Sequence, residues 1–186
     1  MMVADAKKRM VEKSEASLQH LKVELSGIRT GRASLVLFDS IQVNYYGTST
    51  PLKQIATLSI PDSRTVLIQP WDTSQLPEIE KAILGSGLGL TPTNDGKVIR
   101  ISIPPLTEER RKDLVKLVKK IGEESKVAIR NIRRDTNDEL KALQKEGTLS
   151  EDALRKAQDE VQKMTDQTIT KVDEILKKKE AEIMEV

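Results

Sequence analysis

The apolar positions of this chain recur with two different periods, and the change of period divides the sequence into parts. Between Thr107 and Leu143, small or apolar residues follow one another at alternating intervals of four and three. This spacing places them along one side of a single helix of roughly 37 residues, typical of a narrow seam buried against partner helices. The predicted seam consists of Leu114, Val118, Ile121, Ser125, Ala128 and Ile132.

Two further stretches, one on each side of this central helix in the sequence, show the same helical period. Residues 2–29 place Val3, Ala6, Met10, Leu18, Leu21, Leu25 and Ile28 on one side, and residues from 151 to about 182 place Leu154, Ala157, Val161, Met164, Thr168, Val172 and Ile175. Gly147 is expected to end the central helix, and Ser150 to cap the next one. Because none of the three helices can bury its apolar side alone, we predict an elongated three-helix bundle.

Residues 31–105 have a different character, since they contain all seven prolines of the chain. Apolar residues alternate with polar ones in strand-like runs that include Ile41 to Tyr45 and Ile99 to Ile103, and Thr65 to Ile68 is a β-branched run. Ser74 to Leu84 is predicted to form one short helix, capped by Ser74. The expected fold is therefore α+β with two domains: a bundle of residues 1–30 plus 106–186, and an inserted β/α/β domain of residues 31–105.

Both chain crossings between the predicted domains carry residues that break secondary structure. Thr30, Gly31 and Arg32 lie at the first crossing, and Pro104 and Pro105 lie at the second. Glycine frees the backbone of one connection while the prolines stiffen the other. We therefore predict a hinge near residues 30–32 and 104–106.

Basic residues follow the central helix at the same intervals as its seam. Lys112, Lys116, Lys119, Lys126, Arg130 and Arg133 recur about two residues before seam positions, so burial of the seam should turn these cations outward. The net charge of +2 hides a strong polarisation. Residues 106–134 carry ten basic and five acidic side chains, whereas residues 135–186 carry nine and fourteen.

This distribution makes the central helix a candidate surface for binding RNA phosphates. Arg130, Arg133 and Arg134 fall within five residues, and the guanidinium fork suits phosphate better than an ammonium does. Arg29 and Arg32 flank the first crossing, so a bundle could bring them near the same face. The pattern leaves open whether the acidic segment 135–186 folds back beside the basic row.

The motifs of enzymes and of cofactor or metal sites are missing from the sequence. There is no cysteine and no GxSxG elbow, and the single histidine, His20, has no motif around it. The glycines from Gly85 to Gly89 are not followed by the Lys-Ser or Lys-Thr pair of a phosphate-binding loop. We expect no enzymatic activity, no cofactor and no metal. With no signal-peptide pattern and no long apolar run, we expect a cytoplasmic protein without membrane association.

Four segments resemble the bacterial ribosome recycling factor family. They are IRTGRASL (28–35), IQVNYYGTSTPLKQIA (41–56), ISIPPLTEERRKDLVKLVKK (101–120) and VAIRNIRRDTND (127–138). The resemblance implies an L-shaped fold, a monomer, and action with elongation factor G and GTP to separate the subunits of the post-termination ribosome. It also implies that Arg29, Arg32, Arg130 and Arg133 contact the RNA of the large subunit, and that the smaller domain faces elongation factor G.

From the residues and the resemblance together, the predicted RNA-binding set is Arg29, Arg32, Arg130, Arg133, Arg134, Lys112, Lys116 and Lys119. An alternative of another class is a helical scaffold or chaperone-like adaptor, whose apolar seams recruit helices of partner proteins and whose charges serve solubility. The two hypotheses differ in their response to salt, because contacts with phosphates weaken steeply as ionic strength rises.

Overall fold

The chain folds into two compact units, and the structure, a computed structural model, describes residues 2–185. One unit comprises the residues up to Ile28 together with those from Glu109 onward, and the other comprises Arg29–Glu108. The described α-helices are α1 (Val3–Ser26), α2 (Leu76–Leu84), α3 (Glu108–Lys145) and α4 (Glu151–Met184). Long helices accompany a small sheet domain, so the predicted α+β class is confirmed. Nowhere along residues 2–185 is a helix both long and apolar enough to cross a lipid bilayer.

The helical unit is a bundle of α1, α3 and α4 whose apolar sides face one another. Leu21 of α1, Val118 of α3 and Val161 of α4 are almost completely buried. At one end of the bundle the three helices share a cluster formed by Ala6, Met10, Leu140, Leu143, Ala157 and Val161. Each amphipathic helix thus removes its apolar stripe from water by contact with the other two, as expected from the pattern.

The seam of α3 departs from the prediction at its centre. Ala128 is exposed, whereas Ile129 is completely buried, and the seam continues through Thr136, Leu140 and Leu143. After Ser125 the seam advances by four residues rather than three, because the larger apolar side chain gains more by facing the partner helices. The prediction that Ala128 belongs to the seam is therefore wrong.

Helices α3 and α4 approach each other closely at Gly122. A Cβ atom added to Gly122 would lie only 2.3 Å from Cδ1 of Leu176 on α4, which is nearly buried. The absence of a side chain at Gly122 is what lets Leu176 pack against the backbone of α3.

The corner between α3 and α4 forms as the sequence indicates. Gly147 adopts the left-handed conformation with φ of +78°, and its successor Thr148 donates its backbone N–H to the carbonyl of Leu143. The hydroxyl of Ser150 accepts a hydrogen bond from the backbone N–H of Ala153 at 3.2 Å. The predicted end and cap are confirmed.

The second unit contains a hairpin and a separate antiparallel sheet. The hairpin pairs β1 (Gln42–Tyr45) with β2 (Thr48–Pro51), and the sheet has the order β3-β4-β6-β5. Its strands are β3 (Ala56–Asp62), β4 (Thr65–Pro70), β5 (Pro92–Asn94) and β6 (Ile99–Ser102). One core cluster includes Val43, Ile68, Ile79 and Ile101, so the hairpin, the sheet and α2 share a single apolar interior.

The start of α2 differs from the expectation. Residues Thr73–Gln75 form a 3-10 turn, and Asp72, not Ser74, supplies the capping acceptor. Oδ1 of Asp72 accepts hydrogen bonds from both the backbone N–H and the hydroxyl of Ser74. Ser74 is a donor to this cap, because its hydroxyl is occupied by the neighbouring carboxylate.

Candidate nucleic-acid interface

The cations predicted on the central helix share the outer side of α3. Lys112, Lys116, Lys119, Arg130 and Arg134 are exposed, and Arg133 is half-buried. At about 100° of rotation per residue, the five exposed cations fall within an arc of roughly 60°, and this arc lies more than about 100° from the middle of the seam. We call the six residues Lys112, Lys116, Lys119, Arg130, Arg133 and Arg134 the basic face of α3.

Most of the basic face carries charge that the protein itself does not neutralise. Within residues 2–185, no ion pair involves Lys116, Lys119, Arg130 or Arg134. From Lys116 to Arg134 these four cations extend for about 27 Å along the helix at 1.5 Å per residue. A row of unpaired cations of this length produces a positive potential suited to a polyanion.

The exposed side of α3 also carries carboxylates, but most of these gather on one flank. The helical period places five of them roughly 70° to 170° around from the middle of the basic arc, toward α1, whereas Glu123 lies within the arc and near Lys126. The residues on this flank are Asp113, Glu124, Asp135, Asp138 and Glu139. Glu139 is paired with Arg9 of α1, which fixes the direction of the acidic flank. The division leaves the other flank, toward α4, predominantly basic.

Arg133 is held in place by α4. Its Nη1 donates a hydrogen bond to Oε1 of Gln162 at 3.1 Å, and Nε2 of Gln162 donates to Oδ1 of Asp166 at 2.9 Å. Gln162 is neutral, so Arg133 keeps its full positive charge and the guanidinium retains further donors. The contact positions the guanidinium without neutralising it. Sequence reasoning missed Gln162, because only the packing of α4 beside α3 brings it to Arg133.

Lys126 does not belong to the exposed row in which the sequence placed it. Its Nζ lies 2.7 Å from Oδ1 of Asp173 on α4 and 3.6 Å from Oε1 of Glu123, and only 17% of its side chain is exposed. The hydrogen bond that Lys126 donates to Asp173 raises the pKa of Lys126 above its ordinary value. Because Ile129 rather than Ala128 occupies the seam, Lys126 lies only about 60° around the helix axis from the seam residue Ile129, at the boundary with α4.

The ion pair of Lys126 also answers the question that the charge pattern left open. The acidic segment does fold back beside the basic row, as α4, and its Asp173 neutralises Lys126. The pairing stops there, since the described carboxylates of α4 form no ion pair with Lys116, Lys119, Arg130 or Arg134.

The two remaining predicted arginines belong to the other unit. Arg29 is half-buried and its Nη1 donates to the carbonyl oxygen of Leu88 at 2.9 Å, while Arg32 is exposed. Nη2 of Arg29 is buried and has no hydrogen-bond partner among the described residues. Arg29 is thus held by the loop after α2 and presents less of its guanidinium to solvent than Arg130 does.

The predicted hinge residues lie where the chain has no regular secondary structure, in residues 27–34 and 103–107. Gly31 adopts a φ of +76°, and a Cβ atom there would lie 3.2 Å from Cγ of Leu106. The positive φ explains why this position is glycine. Thr30 is half-buried, and Pro104 and Pro105 are exposed.

No group of three or more His, Cys, Asp or Glu residues in the described part of the chain is arranged to hold a metal ion. The charge and the length of the basic face suit a polyanion such as a chain of phosphates.

Comparison with known proteins gives a consistent family match. The family model for ribosome recycling factor matches residues 21–184. A ribosome-recycling factor from Shouchella clausii is 58% identical over 183 residues, which cover 98% of this chain and 97% of the relative. One from Syntrophus aciditrophicus is 58% identical over 185 residues, covering 100% of this chain and 98% of the relative.

Solved structures give the same result. A solution structure of the ribosome recycling factor matches with a TM-score of 0.77 and 41% identity, over the full length of both chains. A second structure describes the T. thermophilus ribosome recycling factor and the E. coli elongation factor G bound to the E. coli post-termination complex, and it matches with a TM-score of 0.66 and 49% identity over both full chains. By sequence along its whole length and by fold, this chain belongs to the ribosome recycling factor family.

Proposed function

We propose that this protein recycles ribosomes after termination. It docks on the RNA of the large ribosomal subunit through the basic face of α3 and, with elongation factor G and GTP, promotes dissociation of the subunits for new initiation. The chain acts as a monomer in the cytoplasm, without enzymatic activity of its own, and the hydrolysis of GTP belongs to elongation factor G. A relative solved with elongation factor G on a post-termination complex supports this assignment.

The observation that carries the proposal is that four of the six cations of the basic face have no ion pair within the protein. Lys116, Lys119, Arg130 and Arg134 are exposed and form no ion pair within residues 2–185. Contacts of such side chains with phosphate oxygens position a protein on RNA without reading its sequence. Structured ribosomal RNA offers such phosphates over distances comparable to the length of α3.

The alternative of a helical scaffold has less support from the structure. That hypothesis needs apolar seams free to recruit partner helices, but Val118, Val161 and Val172 are completely buried within the bundle. The apolar seams of α1, α3 and α4 are buried against one another.

We propose that the α/β unit transmits force from elongation factor G through the hinge. The backbone N–H of Ala33 donates to the carbonyl of Ser63, and that of Ile103 donates to the carbonyl of Arg64. Both connections are thus anchored on the same turn between β3 and β4. Bending is expected outside these anchors, in the residues that include Thr30, Gly31, Arg32, Pro104 and Pro105.

Removal of one arginine tests the docking surface. Arg130→Ala should weaken binding to purified large subunits by about 1–3 kcal/mol, because it removes one charge-assisted contact with phosphate. Arg155→Ala is the matched control, since Arg155 is an exposed arginine of α4 outside the basic face. Equal binding of the two variants in co-sedimentation, or binding that salt does not weaken, would contradict docking through phosphates.

Light scattering tests the recycling activity itself. Mixing the protein with post-termination ribosomes, elongation factor G and GTP should lower the scattered intensity as subunits separate, and omission of any component should abolish the change. An unchanged signal with the complete mixture would refute the proposed function.

Labelled cysteines test the hinge. The chain contains no cysteine, so Lys97→Cys and Lys141→Cys place one fluorophore in each unit without competing thiols. We expect the transfer efficiency on ribosomes to change when elongation factor G binds. A constant efficiency would count against bending while leaving the docking result intact.

A further inference from the structure

Cations of α3 and carboxylates of α4 recur at the same interval along the boundary between the two helices. Lys126 and Arg133 are seven residues apart on α3, and Asp166 and Asp173 are seven residues apart on α4. Residues seven positions apart lie within about 20° of each other around a helix axis. The two cations therefore share one side of α3, and the two carboxylates share one side of α4.

The two helices run in opposite directions, so these charges meet in pairs. Nζ of Lys126 lies 2.7 Å from Oδ1 of Asp173. Seven residues further along α3 and seven residues back along α4, Arg133 and Asp166 both form hydrogen bonds with the side chain of Gln162. Opposite charges therefore occur at two successive levels of the boundary between α3 and α4.

The two levels differ in how the charges meet. Lys126 is paired directly with a carboxylate, and its side chain is only 17% exposed. At the level of Arg133 the neutral amide of Gln162 intervenes, since its oxygen accepts from the guanidinium and its nitrogen donates to Asp166. Arg133 forms no ion pair within residues 2–185. One amide thus engages the cation and the carboxylate at once and keeps them apart.

This separation matters because Asp166 and a phosphate would compete for the same guanidinium. Arginine binds carboxylate and phosphate with the same fork of N–H donors. A direct pair with Asp166 would have to break before a phosphate could bind, whereas the amide uses one donor and leaves the charge unneutralised. Gln162 is four residues before Asp166 on α4, a separation at which Gln and Asp side chains of a helix bond to each other.

We propose that Gln162 is a positioning residue for RNA docking: it orients Arg133 and holds Asp166 away from it, so that the guanidinium stays available for a phosphate. The inference rests on the proposed docking through the basic face of α3 and gives α4 a part in that docking. Gln162 acts through Arg133 and needs no contact with RNA of its own.

Gln162→Glu tests the inference, because it replaces the neutral amide with a carboxylate that pairs with Arg133. We expect the affinity for purified large subunits to fall about three- to ten-fold, and the slope of log affinity against log salt to decrease by about one, as for loss of one phosphate contact. Gln167→Glu is the matched control, since Gln167 is an exposed residue of α4 about 140° around the helix axis from Gln162. Equal affinities of the two variants would overturn the inference.

A double-variant cycle shows whether Gln162 acts through Arg133. In a protein that carries Arg133→Ala, Gln162→Glu should lower the affinity no more than Gln167→Glu does, because the guanidinium to be neutralised is gone. An undiminished effect of Gln162→Glu in the absence of Arg133 would contradict the positioning role.

Removal of the amide tests the part played by Asp166. Gln162→Ala should lower the affinity for large subunits, since Asp166 can then pair with Arg133, and the further change Asp166→Asn should restore it. The recovery should exceed the gain that Asp166→Asn gives by itself, which measures the general effect of removing one negative charge. A recovery no larger than that gain would contradict competition by Asp166.

An NMR titration tests the inference without ribosomes. The carboxyl group introduced by Gln162→Glu should have a lower pKa than the one introduced by Gln167→Glu, because Arg133 stabilises its charged form. Equal pKa values would refute the placement of Gln162 beside Arg133, whatever the result for docking.

The variants of α3 separate the failure of this inference from the failure of the proposed function. Weaker binding of Arg130→Ala without weaker binding of Gln162→Glu would overturn the role of Gln162 and leave docking through α3 intact. Unchanged binding of both Arg130→Ala and Arg133→Ala would refute the docking surface itself, and the role of Gln162 with it.

Discussion

The two units of this protein bury their apolar residues in different ways. In the bundle, buried residues are spread along three helices and include small or polar ones such as Gly122, Ser14 and Thr165. In the α/β unit, one cluster gathers large side chains, among them Ile68, Ile79 and Ile101, which are completely buried. The bundle thus depends on close approach of backbones, whereas the α/β unit depends on the volume of its core.

Their surfaces differ as well. The bundle presents the unpaired cations of α3, and the α/β unit presents Tyr46 and Trp71. Exposed cations attract phosphates, whereas exposed aromatic rings contribute apolar contact area. The comparison teaches that the two units of one chain expose surfaces of different chemistry.

The largest effect is expected in the core of the α/β unit. Ile79→Ala should destabilise this unit by about 3–4 kcal/mol, because it leaves a cavity among completely buried side chains. Trp71 is the single tryptophan and belongs to this unit, so its fluorescence reports the unfolding of the α/β unit and a shift of its midpoint. Circular dichroism at 222 nm reports mainly the unfolding of the helices. Ile60→Ala, at a 40% exposed position, is the control and should cost less than about 0.5 kcal/mol. Parallel shifts of both signals would show that the two units do not unfold separately.

A smaller effect is expected where the bundle depends on close approach. Gly122→Ala should destabilise the bundle by about 2 kcal/mol, since the added methyl group overlaps Leu176 and the gain in helix propensity only partly compensates. The double variant with Leu176→Ala removes the overlapping atoms, so its cost should be smaller than the sum of the two single costs. Thermal unfolding followed at 222 nm measures this coupling, and strict additivity would contradict the close contact.

Substitution of a serine at one helix start in each unit compares how much each hydroxyl stabilises its helix. Ser150→Ala should cost about 1 kcal/mol, because it removes the hydroxyl that accepts the N–H of Ala153. Ser74→Ala should cost less, since Asp72 still accepts the N–H of residue 74. Chemical denaturation of the two variants measures both values, and a larger loss at Ser74 would contradict the assignment of Asp72 as the cap.

The smallest effect on stability is expected at Lys126. Its comparison with Arg130 distinguishes a cation of α3 that stabilises the fold from one that we propose binds RNA. Lys126→Met should cost about 0.5 kcal/mol of stability and leave binding to large subunits unchanged, because Lys126 is engaged by Asp173. The folded state raises the pKa of Lys126 above 10.5, so its contribution is fully present below that pH and is lost as pH rises through the raised pKa. Arg130→Ala should do the opposite, weakening binding at unchanged stability. Denaturant titrations from neutral to alkaline pH, combined with co-sedimentation, test the contrast.

Much of the helical architecture could be predicted because it depends on local rules. A repeat of four and three residues predicts an amphipathic helix, and the run from Gly147 through Thr148 and Leu149 to Ser150 ends one helix and starts the next. The runs Ile41–Tyr45 and Ile99–Ile103 marked β1 and β6 for a similar reason. Strands β2 and β5 were not predicted, because their side chains are largely exposed and show no alternating apolar signal. Strand β3 was not predicted either, although Ala56, Leu58 and Ile60 alternate with polar residues.

The candidate site was predictable in part. The exposure of Lys116, Lys119 and Arg130 followed from their position opposite the seam. The ion pair of Lys126 and the hydrogen bond of Arg133 to Gln162 were not predictable, because both require the register of α4 against α3.

The sequence by itself determined where the three long helices lie, where the central helix ends, and that most of its predicted cations share one side, because each depends on residues a few positions apart. Tertiary structure alone decided that Ile129 rather than Ala128 faces the core, that Arg29 donates to Leu88, and that Tyr46 bonds to Asp72. These contacts join residues remote in sequence, and packing selects them by the apolar volume and the hydrogen-bonding groups that must be buried together.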